Sequence, residues 1–129
     1  MVITIKDETF TGKVLNELSL EFGNDRMSVK DIIMARVIWE VEDYNTRFPE
    51  FYQGLVEPTD AEKTLNGYKL RSRKLIDAEE QAYVALDAFQ KNGFFVLVDD
   101  VQAESLEQEV ILRSDTKISF LKLTPLVGG

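Results

Sequence analysis

The C-terminal stretch from Ile118 to Gly129 combines a strand pattern with a pair of glycines. Ile118 and Phe120 are separated by one residue, so a strand places both side chains on one face. Gly128 and Gly129 carry no Cβ atom, and a Gly-Gly segment is therefore flexible and thin enough to thread a narrow channel. A frayed chain end, or residues left by an expression vector, would give the same pattern. The glycine pair becomes informative only together with the type of domain that precedes it.

Composition limits the functions open to a chain of 129 residues, a length that predicts one domain over 1–129. The formal net charge of −8 argues against nucleic-acid binding, which needs clustered Lys and Arg, and fits docking on a basic partner. Cys and His are both absent, which removes the commonest nucleophiles, general bases and metal ligands, so we expect neither an enzyme nor a metal site. The sequence contains no apolar run long enough to span a membrane and no secretory signal, which predicts a cytoplasmic protein.

The N-terminal region has the pattern of a β-hairpin. Val2–Lys6 alternates apolar and polar residues, and so does Glu17–Phe22 beyond a turn at Thr11-Gly12-Lys13. Period-two alternation predicts two strands with one solvated face. The glycine in the turn predicts that these strands pair.

A helix is predicted from Ser28 to about Asn45. Ser28 suits the N-cap position, and Asp31 follows three residues later, close to the pattern of a capping box. The main apolar stripe has spacings of three and four, typical of a helix with one buried face. It consists of Ile33, Val37, Val41 and Tyr44.

Four further apolar residues of this helix lie outside the stripe, namely Ile32, Met34, Ile38 and Trp39. A helix covered on one side only does not need them, so we expect a second layer on its back, with Trp39 in the core. The alternative is that Trp39 is an exposed anchor for a binding partner, because Trp is enriched at binding hot spots.

Residues 46–93 are expected to form an insertion that supplies this second layer. Thr59 or Asp60 can cap a short helical turn through Leu65, which Asn66-Gly67 would close.

The second half of this segment is predicted to be extended and then helical. Tyr68–Ile76 contains a small basic patch, which fits a solvated strand edge guarded by charge better than nucleic-acid binding. Asp77 and Glu80 form a second capping pattern, which opens a helix that ends at Asn92-Gly93. The apolar residues that share a face of this helix are Ala82, Ala85, Leu86 and Phe89.

A third major strand is predicted at Phe94–Val98, whose short, continuously apolar run is typical of a strand buried on both faces. Acidic residues follow it at positions 99, 100, 104 and 107. Their spacing matches no oxygen-ligand loop, so a solvated acidic turn is favoured over a metal site. A short strand at Val110–Leu112 leads towards the terminal strand.

Both ends of the chain resemble the ubiquitin β-grasp fold. Ile3–Lys6 through Thr11-Gly12-Lys13 is similar to ubiquitin's first hairpin, including the Thr-Gly-Lys turn. Ser105-Leu106 through Arg113–Ile118 to Gly128-Gly129 resembles its last part, where a loop with a Leu and a polar turn precede the final strand and the diglycine tail.

The resemblance implies an α+β fold, with a mixed sheet of four to five strands crossed by one helix. The terminal strand would lie in the centre of the sheet, parallel to the first strand. Within the single domain, 46–93 would be a helical insertion between the helix and the third strand, and 121–129 a flexible diglycine tail.

The resemblance also implies a function, that of a protein modifier from a bacterial-type conjugation pathway. Its C-terminal carboxylate would be the substrate of an activating enzyme that uses Mg-ATP, and this chain would bind no cofactor. Gly129 would carry the reacting carboxylate, and the absence of a side chain on Gly128 would leave access to it unobstructed. A groove of the partner would recognise Leu126 and Val127 in extended form. Target amines would be joined through an isopeptide bond, with a conjugating enzyme and a deubiquitinase-like protease as further partners.

The chain also departs from ubiquitin, and two alternatives remain open. The residues before the glycines, 124–127, are not basic, which implies a dedicated activating enzyme. Ubiquitin's hydrophobic recognition patch cannot be located in this sequence. The first alternative is a sulfur carrier that bears a C-terminal thiocarboxylate, although such carriers are compact and usually lack so large an insertion. The second is a non-covalent β-grasp adaptor in which the glycines are incidental.

Overall fold

The computed structural model describes residues 1–71 and 75–122. These residues form an α+β structure whose elements follow one another in this order: β1 (Val2–Glu8), β2 (Val14–Glu21), β3 (Arg26–Ser28), α1 (Val29–Arg47), β4 (Ala61–Thr64), β5 (Gly67–Leu70), α2 (Ala78–Gln90), β6 (Phe94–Val98), β7 (Val101–Gln102), β8 (Glu109–Ile111) and β9 (Ile118–Lys122).

Five of the strands form a mixed sheet in the order β2-β1-β9-β6-β7. The hairpin β1–β2 is antiparallel, as predicted. The last strand, β9, lies in the centre, parallel to β1 and antiparallel to β6. The predicted central position of the terminal strand and its direction relative to β1 are therefore confirmed.

The described chain divides into two compact units. The first comprises Met1–Asp31 and the residues from Ala88 onward, and the second comprises Ile32–Asp87. Both helices run across a boundary between the units, so this division does not coincide with the predicted insertion at 46–93. Leu121 and Lys122, which the sequence assigns to the tail, belong to β9.

The first unit is built on the mixed sheet and has an apolar core. Alternate residues of the strands are buried because successive side chains of a strand point to opposite faces. The ring of Phe94 lies 5.9 Å from that of Phe120. The short strands β3 and β8 pair beside the start of α1, where the Lys30 amide donates to the carbonyl of Leu106. The core residues from the sheet strands are Ile3, Ile5, Leu18, Leu20, Val96, Ile118 and Phe120.

The start of α1 follows the predicted cap. The Asp31 amide donates to Ser28 Oγ at 3.1 Å, and the helix ends at Arg47, two residues beyond the predicted Asn45. All four residues of its predicted apolar stripe are buried.

In the second unit the inserted segment contacts α1 near its C-terminal end. Of the four apolar residues expected to need a second layer, Ile32 is buried, Met34 and Ile38 are half-buried and Trp39 is exposed. The ring of Tyr44 packs edge-on against Tyr52 at 5.4 Å. The Asn45 side chain donates to the carbonyl of Ile76 and accepts from the Ile76 amide, each at 2.9 Å.

The helical turn predicted from Thr59 or Asp60 to Leu65 is wrong. Ala61–Thr64 is the strand β4, and it pairs with β5 in an antiparallel hairpin. An Asn-Gly pair can end a helix or form the tight turn of a β-hairpin. Here the pairing of this segment with the rest of the unit selects the hairpin. The amide and carbonyl of Tyr68 in β5 exchange hydrogen bonds with those of Tyr52, at 2.7 and 2.9 Å.

The second helix is confirmed with its cap. The Glu80 amide donates to Asp77 Oδ1 at 3.1 Å, and the predicted face of α2 is buried. After α2, Asn92 adopts a positive φ of 60° and the Gly93 amide returns to the carbonyl of Ala88 at 2.7 Å, which caps the C-terminus. Within the described residues, no helix has the length and apolar character needed to cross a membrane.

Candidate functional site

The strand β9 is the part of the described chain that precedes the predicted reactive tail. It is held on both sides, because Leu121 pairs with Glu8 of β1 and with Phe95 of β6. Ile118 and Phe120 are buried, and the two residues that alternate with them, Ser119 and Leu121, are half-buried. A tail that follows this strand starts from a rigid base, since β9 is fixed by a parallel ladder and an antiparallel ladder.

Leu121 and Phe95 are cross-strand partners and therefore share the sheet face opposite the core. The ring of Phe10 lies edge-on to that of Phe95, with the centroids 5.8 Å apart. Phe10 is 57% exposed, which is unusual for an aromatic residue that has packing partners. We call Phe10, Phe95 and Leu121 the terminal-strand patch.

The turn between β1 and β2 holds Phe10 in place. Thr9 Oγ1 lies 2.9 Å from Thr11 Oγ1 and accepts a hydrogen bond from the Lys13 amide at 3.1 Å. Gly12 adopts a φ of +89°, a conformation that side chains rarely permit. This network fixes the turn and so presents Phe10 at a defined position.

The terminal-strand patch is not predicted by the sequence pattern. The continuously apolar run of β6 predicts a strand buried on both faces, whereas Phe95, on the face away from the core, is only half-buried. Only the strand order brings Phe95 and Leu121 together and adds Phe10 beside them. The expected central position of the terminal strand was therefore the sequence information from which this contact between Phe95 and Leu121 could have been predicted.

The predicted tail residues Leu126, Val127, Gly128 and Gly129 lie outside the described residues. Trp39, the only Trp in the chain, is 40% exposed, so the prediction that it lies in the core is wrong. Its alternative role, as an exposed anchor for a partner, stays a prediction.

A buried ionic network lies in the second unit. The side chain of Arg36 is 0% exposed, and its Nε donates to Glu40 Oε1 at 2.5 Å, one helical turn away. The other oxygen of Glu40 accepts from the hydroxyl of Tyr52 and from the amide of Leu55, each at 3.0 Å. Burial, followed by the negative charge of Glu40, raises the pKa of Tyr52 far above its usual value. The phenol is therefore a fixed neutral donor, and the network is suited to holding the inserted segment on α1 rather than to proton transfer.

The acidic residues around β6 and β7 form the predicted solvated turn. Asp99 and Asp100 are exposed and have positive φ values of 48° and 67°. Asp99 Oδ1 accepts a hydrogen bond from the Lys117 amide at 2.9 Å, which ties the turn to the start of β9. Glu104 and Glu107 are also exposed. Among the residues that the structure describes, no group of three or more acidic side chains is arranged to hold a metal ion.

No protein-family model, curated protein sequence or solved structure matches this chain. The described residues show a mixed five-stranded sheet and two helices, and no relative supplies an activity, a ligand or a partner. What the chain does has to be inferred from its topology and its exposed side chains.

Proposed function

We propose that this chain is a ubiquitin-like protein modifier with a β-grasp domain. The observation that carries the proposal is the placement of β9 in the centre of the sheet, parallel to β1 and antiparallel to β6. This is the arrangement that the resemblance at the two ends of the chain leads one to expect. It makes the strand before the Gly-Gly pair one of the most firmly held in the sheet.

In this function the protein is a substrate and not a catalyst. The carboxylate of Gly129 attacks the α-phosphate of Mg-ATP on an activating enzyme, which gives an acyl-adenylate and releases pyrophosphate. An enzyme thiol then displaces AMP to form a thioester, and a target amine displaces the thiol to form an amide. A conjugating enzyme can carry the thioester, and a deubiquitinase-like protease can hydrolyse the product. Gly128 and Gly129 suit these steps because a side chain would obstruct the approach to the carbonyl in a tight site.

The terminal-strand patch supports this proposal by offering a second contact beside the tail. Leu121 is separated from Leu126 by four residues of sequence, and Phe10 adds an exposed aromatic ring to the same face. Aromatic side chains are enriched at the energetic centres of interfaces. A partner that reads Leu126 and Val127 in extended form can contact the patch at the same time.

The proposal is tested by mass spectrometry of the protein in its native lysate, beside a variant that lacks Gly129. Conjugates of higher mass are expected from the wild type and not from the deletion. Because Lys122 is the last basic residue, digestion with trypsin should leave residues 123–129 attached to the target lysines. If both forms remain unmodified and bind the same partners, the protein is an adaptor and not a modifier. A gain in mass that equals replacement of one carboxylate oxygen by sulfur would instead identify a sulfur carrier.

A second variant tests the patch separately. Phe10→Ala is expected to lower conjugate yield about fivefold or more, since interface anchors contribute over 1 kcal/mol. Val101→Ala is the matched control, because Val101 is also exposed and lies in β7 of the same unit. Equal yields from the two variants would remove the patch from the proposal and leave the tail untouched.

A further inference from the structure

The outer face of α2 in the second unit is shallow, acidic and partly apolar. Six residues line an open groove of about 540 Å³, and we call them the acidic α2 face: Asp77, Glu79, Glu80, Tyr83, Val84 and Asp87. Glu79, Tyr83 and Asp87 follow one another at intervals of four and form one ridge of the helix, with Glu80 and Val84 beside it.

The apolar residues of this face are not explained by the stability of the helix. Tyr83 is 59% exposed and Val84 is also exposed, whereas the opposite side of α2 supplies the buried residues. At exposed helix positions Ala, Leu, Glu and Lys are better helix formers than Tyr or Val. The exposed Tyr83–Val84 pair therefore has the character of a contact surface, with an aromatic ring that has few rotatable bonds to immobilise.

The charges of this face have one sign. The sequence of α2 from Ala78 to Gln90 contains no Lys or Arg, and every charged residue that lines the groove is acidic. Carboxylates in the first turn, such as Glu79 and Glu80, also stabilise the helix dipole. Asp87 lies in the last turn and completes the acidic margin of the groove.

We propose that the acidic α2 face binds an amphipathic helix of a partner protein, with apolar residues in the centre of its contact face and Lys or Arg at the margins. The apolar residues would cover Tyr83 and Val84, and the basic residues would face the carboxylates of α2. The helix α2 is about 20 Å long, which is the length of a partner helix of three to four turns. A second copy of this chain is disfavoured, because the net charge of −8 and the acidic rim repel another acidic surface.

This binding does not depend on Gly129 or on conjugation, so it goes beyond the proposed function. It gives the second unit the role of a docking module. The deletion of Gly129 is expected to leave it unchanged.

The test is a titration of the isotope-labelled full chain, followed by its amide NMR signals, with a synthetic helical peptide of about 15 residues, the length of a four-turn helix. The peptide carries Leu on one face and Lys on both sides of that face. A scrambled peptide of the same composition, and one with Glu in place of Lys, are the comparison probes. We expect shifts concentrated in residues 79–87 with the basic amphipathic peptide, which weaken with added salt, and weaker binding of both comparison probes.

Variants then assign the binding energy. Tyr83→Ala combined with Val84→Ala is expected to weaken binding about fivefold or more, while Leu65→Ala, at an exposed position of the β4–β5 loop, leaves it unchanged. Glu79→Gln is expected to weaken binding more than Glu62→Gln, since Glu62 lies in β4 and outside the groove.

Three results would overturn the proposal. These are shifts spread over other acidic surfaces, equal affinity for the scrambled peptide, and equal affinity of the Tyr83/Val84 variant. Concentration-dependent shifts at 79–87 without any peptide would assign the face to a second copy instead.

Discussion

Removal of the buried carboxylate of Glu40 is predicted to cause a large loss in the free energy of unfolding of the second unit. Glu40→Ala deprives three donors of their acceptor, namely Arg36 Nε, the Tyr52 hydroxyl and the Leu55 amide. Arg36 has no exposed side-chain surface, so water cannot replace the lost carboxylate without rearrangement of the unit.

The size of the effect follows from the cost of removing one partner of a buried ion pair. Breaking a buried ion pair by removal of one partner costs about 3–5 kcal/mol. Typical domains have a total stability of about 5–15 kcal/mol, so Glu40→Ala removes a large part of it. Tyr52→Phe removes only one donor and leaves the Leu55 amide on the same oxygen, so we expect about 1.5 kcal/mol, the low end for a hydrogen bond to a charged group.

Denaturant unfolding, followed by fluorescence and circular dichroism, measures both variants. Trp39 is the single Trp of the chain and lies in the second unit, so its fluorescence reports on that unit. Glu42→Ala is the matched control, because Glu42 is an exposed carboxylate on the same helix, and a change within about 0.5 kcal/mol is expected. A loss below about 1 kcal/mol for Glu40→Ala would refute the reasoning, since it would mean that Arg36 finds solvent or another acceptor at little cost.

Three other predictions concern stability. Asn45→Ala removes both hydrogen bonds to the backbone of Ile76 and should cost about 1–3 kcal/mol in denaturant unfolding, with the loss seen in Trp fluorescence. Gly67→Ala should lower the free energy of unfolding by about 1–3 kcal/mol, because Gly67 has a φ of +120° and an added Cβ would lie 2.9 Å from a backbone oxygen. Gly23 has open space around it, so the control Gly23→Ala should change stability by less than about 0.5 kcal/mol. Burial raises the folded-state pKa of Tyr52 above the usual tyrosine value of 10.0, so the unfolded state loses this proton first. The free energy of unfolding should therefore fall as pH rises above about 10, by up to about 1.4 kcal/mol per pH unit. Tyr52→Phe should make this fall shallower, and an unchanged slope would contradict the prediction.

Local sequence signals predicted the first unit well because its elements are set by period and caps. The alternation of β1 and β2 and the buried run of β6 reflect side-chain geometry that needs no knowledge of distant contacts. The cap at Ser28, and that at Asp77 in the second unit, are likewise formed by atoms three residues apart. The resemblance, rather than any periodicity, supplied the parallel pairing of β9 with β1, since pattern alone does not choose a strand's neighbour.

The β4–β5 hairpin could not be predicted because its local signals are ambiguous. Asn66-Gly67 closes a helix or a hairpin equally well, and the residues before it do not alternate clearly. The choice is made by Tyr52, whose backbone pairs with that of Tyr68 from outside the hairpin. Such a contact is visible only after the segment between α1 and β4 has been placed.

The prediction on α1 that Trp39 lies in the core was wrong because its residue type was weighed above its position on the helix. At 100° per residue, the predicted stripe covers an arc of about 80°, and Glu40, Arg36 and Trp39 lie about 20°, 60° and 120° beyond one edge of it. Charged residues are rarely buried without partners, and the partners here, Tyr52 and the Leu55 amide, lie 12 and 15 residues beyond Glu40. Because those partners belong to the inserted segment, the burial of Arg36 and Glu40 depends on contacts that the helical period does not show. The angle does favour an exposed Trp39, which lies farther from the stripe than either charged residue, as observed.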